Sequence, residues 1–255
     1  MDKTEELARW LHDARTTRRP VPQPEGVALD LPTAYAVQHA GVALRLAAGE
    51  RRVGAKMGFT SRAKMAQMGV HEMIVGQLTD AMEVPDGSPF RRDGAIHPRI
   101  EPEVAFLVGR DFADVPHAGL LRGAVEAIAP AMEIIDSRYA NFRFSLADVV
   151  ADNTSACGFV LGAWQPVPRE IDNLGMALRV DGRPRQAGSS AAILGSPWRA
   201  LDAAWRLARR YGVSVPAGSV LLAGAATAAE PMPERGFVEV EVSGLGRAAF
   251  TVGIS

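Results

Sequence analysis

Glu101 and Glu103 stand two residues apart at the head of the segment RIEPEVAFLVG, residues 99–109. In an extended strand residues i and i+2 share a face, so E-x-E presents two carboxylates side by side, half a shell for a hard divalent cation. The pattern is weak alone, and the chain carries its own control. Glu239 and Glu241 in FVEVEV alternate with Val238, Val240 and Val242, as in a half-exposed strand whose acids face water. Behind Glu103, in contrast, Val104, Ala105, Phe106, Leu107 and Val108 run without alternation, as expected of a strand covered on both faces. Two carboxylates beside such a strand repel and lose hydration unless a cation neutralises them. Glu133, in AIAPAMEIIDSR, is a third acid in an apolar setting. Three carboxylates with waters or substrate oxygens complete an octahedral shell for Mg²⁺ or Mn²⁺, and an arginine partner for Glu133 is the competing reading. Lys56, in RVGAKMGFTS, lies between glycines and apolar residues. A desolvated lysine there has a lowered pKa suited to proton transfer; the residue-level reading favours a snorkelling surface lysine, because lysine is seldom fully buried.

The elements that must position these groups follow from periodicity. Residues 4–17 carry Leu7, Trp10, Leu11 and Ala14 at helical spacing behind a candidate N-cap, Thr4, and a second helix is expected from Pro32 to about Gly49. From residue 53 short apolar segments broken by Gly, Pro and Asp indicate strands, with a helix expected near 117–128. GMALRVDGRPRQAG reads as a hairpin turning at Asp181-Gly182. SPWRALDAAWRLARRYG reads as an amphipathic helix capped by Ser196 and closed by Gly212. The irregular order of elements implies an α+β architecture with a largely antiparallel or mixed sheet. The organisation expected is an N-terminal helical portion, 1–52, before a catalytic domain, 53–255.

Other chemistries are set aside on composition. The 255 residues hold 28 basic and 29 acidic side chains with no long block of either sign, which disfavours nucleic acid and membrane surfaces. The lone cysteine, Cys157, and the charged start MDKTEELARW lead to an expected reducing cytoplasm. Five histidines show neither H-x-H nor H-x-x-x-H spacing, so a metal here would be held by oxygen. GLGRAA at 244–249 fits G-x-G-x-x-A, but too few residues follow for the helix that would receive a pyrophosphate, and a glycine hairpin explains it better.

GAKMGFTSRAKMAQMGV, GQLTDAM, HPRIEPEVAFLVGRD, PAMEIIDSRYANFRFSLADVVADNTS, LGSPWRALDAAW and VLLAGAATAAEP occur in one order along nearly the whole chain. In that order they resemble the 2-keto-4-pentenoate hydratase and 4-oxalocrotonate decarboxylase family of the fumarylacetoacetate hydrolase superfamily. The resemblance implies a mixed β-roll with an N-terminal helical portion, homo-oligomeric assembly, and a divalent metal on Glu101, Glu103 and Glu133. It also implies an active-site lysine at Lys56, a substrate-binding serine at Ser155 and, through a motif whose acid shifts by one position between relatives, a catalytic Asp80. TSRAKMAQMGV and DSRYANFRFSLADVVADNTS look like the decarboxylase branch. That branch implies Mg²⁺-dependent loss of CO₂ from 2-oxohex-3-enedioate, giving 2-hydroxypenta-2,4-dienoate in catechol meta-cleavage, with a possible hydratase complex. Hydration of the dienoate on the same scaffold is the alternative, and a non-catalytic subunit supporting a hydratase is a third reading.

Overall fold

The structure is a computed structural model and describes residues 2–24, 29–61, 65 and 72–253. Helix α1, Lys3–Thr17, buries Ala8, Leu11 and Ala14; its N-cap is Asp2 rather than the expected Thr4, which lies inside the first turn. Helix α2, Leu31–Ala47, starts where the Asp30 carboxylate accepts from Thr33 N at 2.8 Å, with Pro32 in the first turn where its missing N–H is harmless. The two helices pack on each other.

Among the described residues twelve strands follow: β1 Arg52–Gly58, β2 Ile74–Thr79, β3 Pro89–Arg91, β4 Arg99–Val108, β5 Val125–Ile135, β6 Ala156–Leu161, β7 Gly175–Val180, β8 Arg183–Ser189, β9 Val220–Leu222, β10 Glu230–Pro231, β11 Gly236–Val242 and β12 Gly246–Gly253. They form two sheets. One runs β2-β1-β9-β4-β5-β6 with β10 on β4, and the other runs β3-β12-β11-β7-β8. Pairs β1/β9 and β3/β12 are parallel and the remainder antiparallel, the mixed arrangement expected. Strands β11 and β12 lie against β5, so the main core fills the space between the sheets.

The helix expected near 117–128 is absent. Ala118–Ala124 is a 3-10 segment and β5 takes over at Val125. Gly119 and Gly123 weaken an α-helix there, while β5 pairs with β4 from Arg99↔Ile135 to Val108↔Val125. The Asp181-Gly182 hairpin is as expected, with φ of 50° and 74° at its two central residues, the pair of positive values a type I′ turn needs. Short helix α3, Leu146–Ala151, starts with a capping box between Ser145 and Asp148. Helix α4, Pro197–Tyr211, begins with Ser196 Oγ accepting from Trp198 N at 3.2 Å and ends at Gly212 in the left-handed conformation. On β11 the control acids behave as read: Glu239 and Glu241 reach Arg247 and Arg179 at the surface, and Phe237 beside them is 40% exposed.

Candidate metal and active site

Strands β4 and β5 pair in a register that sets Glu101 opposite Glu133. Cross-strand partners share a face, and Glu103, two residues on, shares it too. One carboxylate oxygen of each lies within 4.8 Å of the others. Glu103 and Glu133 are fully buried and Glu101 is 8% exposed, whereas Glu241 on β11 has a side chain 58% exposed. Burial, then the neighbouring Glu133 and Glu101 charges, pushes the Glu103 carboxyl well above the ordinary carboxylate range. Burial likewise raises Glu133 to about 7 against the lowering influence of Lys56.

Lys56 on β1 is only 3% exposed, so the snorkelling reading is wrong for this residue. Its Nζ lies 2.8 Å from Glu133 Oε1 and donates to the Thr154 carbonyl at 2.9 Å. The partner of Glu133 is therefore a lysine and not an arginine. Glu103 Oε2 accepts from Gly224 N at 2.7 Å. Glu103 Oε1 and Glu133 Oε2 have no hydrogen-bond partner among the described residues. Among the described residues these buried carboxylates gather around one lysine with open lone pairs on Glu103 and Glu133, and a hard divalent cation with oxygen preference fits that arrangement. Glu101, Glu103 and Glu133 are the residues able to hold it.

A strained turn forms the opposite wall. Asn153, Thr154 and Ser155 have φ of 49°, 52° and 58°, a left-handed run that non-glycine residues seldom adopt. Two clamps hold it. Asn153 Oδ1 accepts from Gln77 N and its Nδ2 donates to Gln77 O, both at 2.8 Å. Behind it the buried Arg138 ion-pairs with Asp152 and donates to the carbonyls of Asp136 at 2.6 Å and Ala156 at 3.1 Å. The turn leaves Thr154 Oγ1 and Ser155 Oγ buried with no hydrogen-bond partner among the described residues. It can approach β2 so closely because residue 76 is glycine: a Cβ there would collide with Thr154 Oγ1 and lie 2.9 Å from Asn153 O.

A cavity of about 100 Å³ opens between these walls. Lys56, Thr60, Glu101, Thr154 and Ser155 supply its polar lining; Phe59, Phe142 and Phe144 contribute aromatic surface. Among the described residues, four of the nine non-glycine residues at positive φ, namely Phe59, Phe142, Thr154 and Ser155, line this one cavity. Backbone strain is concentrated where a ligand would bind.

Asp80 is placed elsewhere. It follows β2 and accepts from Arg51 N at 2.8 Å and Arg51 Nε at 2.9 Å, bonds that hold its carboxyl below the ordinary range. Lys56 pairs with Gly76, so Asp80 stands four residues further along the ladder, about 13 Å at the usual strand rise. The structure does not bring it to the carboxylates, and we drop it from the candidate set. Sequence reasoning had no role for Gly76, Thr154, Arg138 or Asp152. The signal present was the Asn153 of DNTS, a residue type that tolerates the left-handed region. Of TSRAKMAQMGV, residues 62–64 and 66–70 lie outside the described residues.

The fumarylacetoacetate (FAA) hydrolase C-terminal family matches residues 42–253. The chain belongs to the fumarylacetoacetate hydrolase family. Within it, the chain is similar to a 4-oxalocrotonate decarboxylase of a Pseudomonas species, 48% identical over 250 residues that make up 98% of each chain. A 2-keto-4-pentenoate hydratase of Burkholderia vietnamiensis is 38% identical over 87% of each chain. Among solved structures, 4-oxalocrotonate decarboxylase from Pseudomonas putida G7, complexed with magnesium and adipate, superimposes with a TM-score of 0.92. It is 33% identical, covering 98% of this chain and 97% of that one. The mixed-sheet α+β architecture is thus that of the family. No helix among the described residues is long and apolar enough to cross a membrane.

Proposed function

We propose that this protein is a magnesium-dependent carboxy-lyase that converts 2-oxohex-3-enedioate, or 4-oxalocrotonate, to 2-hydroxypenta-2,4-dienoate and CO₂. The observation that carries the reading is the match, end to end and at nearly half identity, to a 4-oxalocrotonate decarboxylase. The buried carboxylate cluster beside a lysine supplies the matching chemistry.

Glu101, Glu103 and Glu133 would hold the cation, and when bound it supplies Lewis-acid polarisation of the 2-oxo group. In the reaction the C5–C6 bond breaks and C6 leaves as CO₂. Its electron pair forms C4=C5, the old C3=C4 pair moves to C2=C3, and the C2=O π pair comes to rest on O2, which takes a proton. Lys56 stands where that proton and a compensating positive charge are needed, held on one side by Glu133 and on the other by the Thr154 carbonyl. Ser155 and Thr154 offer hydroxyls to the substrate's oxygens from a turn that cannot relax when substrate arrives, an electrostatic preorganisation. The aromatic lining excludes water from the dienolate carbons.

The hydratase relatives sustain a second reading, addition of water to the dienoate on the same scaffold. A product assay separates the two: the dioate and the dienoate are offered side by side with Mg²⁺ and with chelator. We expect CO₂ release from the dioate that depends on Mg²⁺ and little hydration of the dienoate. Faster formation of 4-hydroxy-2-oxopentanoate, with no CO₂, would overturn the decarboxylase reading. Cytoplasmic location, homo-oligomeric assembly and association with a hydratase belong to the same proposal, and size-exclusion chromatography with and without a hydratase tests the last two.

A further inference from the structure

We propose that Arg99, stacked on Phe142, is the residue by which this site recognises the second carboxylate of a dicarboxylate substrate; this rests on the decarboxylase reading. Arg99 opens β4 two residues before Glu101. Its side chain therefore leaves the same strand face as Glu101 and Glu103, about 7 Å along from Glu101. Its guanidinium carbon stands 4.3 Å from the centroid of the Phe142 ring, and no carboxylate pairs with it among the described residues. Phe142 lines the cavity together with Glu101.

The backbone sets this arrangement at an energetic cost. Asn141 and Phe142 have φ of 57° and 54°, and a bulky aromatic in the left-handed region is a marked outlier that surrounding structure must hold in place. His97 packs on the same ring at a centroid distance of 4.6 Å; burial, with a smaller push from the Arg99 charge, lowers its pKa and favours the neutral imidazole, against the raising influence of Asp136. Lys56, the cation among the described residues of the cavity lining, is engaged with Glu133. Arg99 lies just outside that lining and brings positive charge to its aromatic side by its stacking on Phe142.

The dimensions agree with a six-carbon dioate. Its two carboxyl carbons are about 6 Å apart when the chain is extended, by ordinary carbon–carbon bond lengths. A substrate anchored at the carboxylate cluster by its 2-oxo acid end would carry its far carboxylate toward Arg99. The charge suits the reaction as well. The departing CO₂ is neutral, so attraction to Arg99 acts on the bound substrate and fades as the C5–C6 bond opens. Such an interaction selects the dioate in binding and adds nothing to the rate of the chemical step.

The test compares 2-oxohexanedioate with 2-oxohexanoate, saturated analogues that differ only in the distal carboxylate. Their affinities are measured calorimetrically in the presence of Mg²⁺ for the wild-type chain and for Arg99→Met, Arg99→Gln and Arg99→Lys. Loss of one charge-assisted contact predicts about a tenfold or greater weakening of the dioate in Arg99→Met and Arg99→Gln, with 2-oxohexanoate unchanged. Arg99→Lys should retain most of the preference. In turnover, Arg99→Met should raise KM for the enedioate while kcat holds or rises. A merely structural Arg99 would instead lower kcat and the melting temperature and weaken both analogues alike, and that result, or an unaltered dioate preference in the folded variants, would overturn the proposal. Preferential dioate binding without CO₂ release by the wild-type chain would sink the decarboxylase reading alone.

Discussion

Replacing Gly76 with alanine adds one methyl group at the tightest point of the site. The new Cβ would meet Thr154 Oγ1 inside its van der Waals envelope, Asn153 O at 2.9 Å and Lys56 Cδ at 3.0 Å, where ordinary contact begins near 3.4 Å. The lysine stem has some freedom, but the turn has little. Asn153 is tied to Gln77 through two hydrogen bonds, and Asp152 is tied to the buried Arg138. Something must therefore shift by roughly 1 Å, and whichever side yields carries Ser155 or Lys56 with it. Overpacking of a rigid interior site typically costs about 1–3 kcal/mol, and a misplacement of about 1 Å near the chemistry costs about 10²-fold in rate. For a chain of this size the stability loss amounts to a fall in melting temperature of about 2–6 °C. Calorimetry and kcat at saturating Mg²⁺ read the two effects. Gly76→Ala combined with Thr154→Ala removes the worst overlap and should recover part of both, giving a coupling energy of about 1 kcal/mol or more in the double-mutant cycle. Gly76→Ala with wild-type kcat and melting temperature, or strict additivity in the cycle, would refute the claim that this close approach sets the turn.

Glu103→Gln should abolish Mg²⁺-dependent turnover and calorimetric Mg²⁺ binding, while Glu239→Gln, on the solvated face of β11, should change either by less than about twofold. Lys56→Met should lower kcat by about 10² to 10⁴, and because it strands Glu133 in the interior it should also destabilise the metal-free chain more than the metal-loaded one. In chelator, stability should fall as pH rises from the ordinary glutamate range through about 7, since Glu103 and Glu133 have raised folded-state pKa values and the unfolded chain ionises first. Excess Mg²⁺ should remove that slope, and melting temperatures measured across pH 5–8 under both conditions check it; equal slopes would show that the carboxylates are neutralised by something else.

The carboxylates were legible for a physical reason. A run such as VAFLV after E-x-E marks a strand covered on both faces, and burial of that strand carries Glu103 to full burial while FVEVEV keeps its acids outside. Lys56 was not legible, because whether a lysine is buried depends on a partner, and Glu133 lies 77 positions away in the chain with no local trace of the pairing. Asp80 shows the converse failure. Its motif lies on β2 beside the site, but two hydrogen bonds to Arg51 turn it to the surface at the far end of the strand. The missed β5 residues at 125–128 failed for a related reason: their alternation was ambiguous, and a ten-pair ladder with β4 overrode it.

The strained backbone was the least legible part, and it ties the site together. Positive φ at Phe59, Phe142, Thr154 and Ser155 is a property of tertiary enclosure, since each residue taken alone prefers another conformation. The enclosure can be traced: Asn153 to Gln77, Asp152 to Arg138, the Thr154 carbonyl to Lys56, and Lys56 to Glu133. The first two links fix the turn to its surroundings, and the last two join the turn through Lys56 to a carboxylate that would hold the cation. The same chain explains how a cation and a hydroxyl-bearing turn can act together without touching. Neutralising the carboxylates changes the load on Lys56, and Lys56 is hydrogen-bonded to the turn. Cation binding should therefore tighten the 153–155 turn as well as neutralise charge, and hydrogen exchange at the Ser155 amide, which donates to Asp152 O at 3.0 Å, is the observable that links the two. Slower exchange at Ser155 on adding Mg²⁺, lost in Lys56→Met, is the expected outcome; exchange indifferent to Mg²⁺ would mean that the turn is held by Arg138 and Asn153 alone.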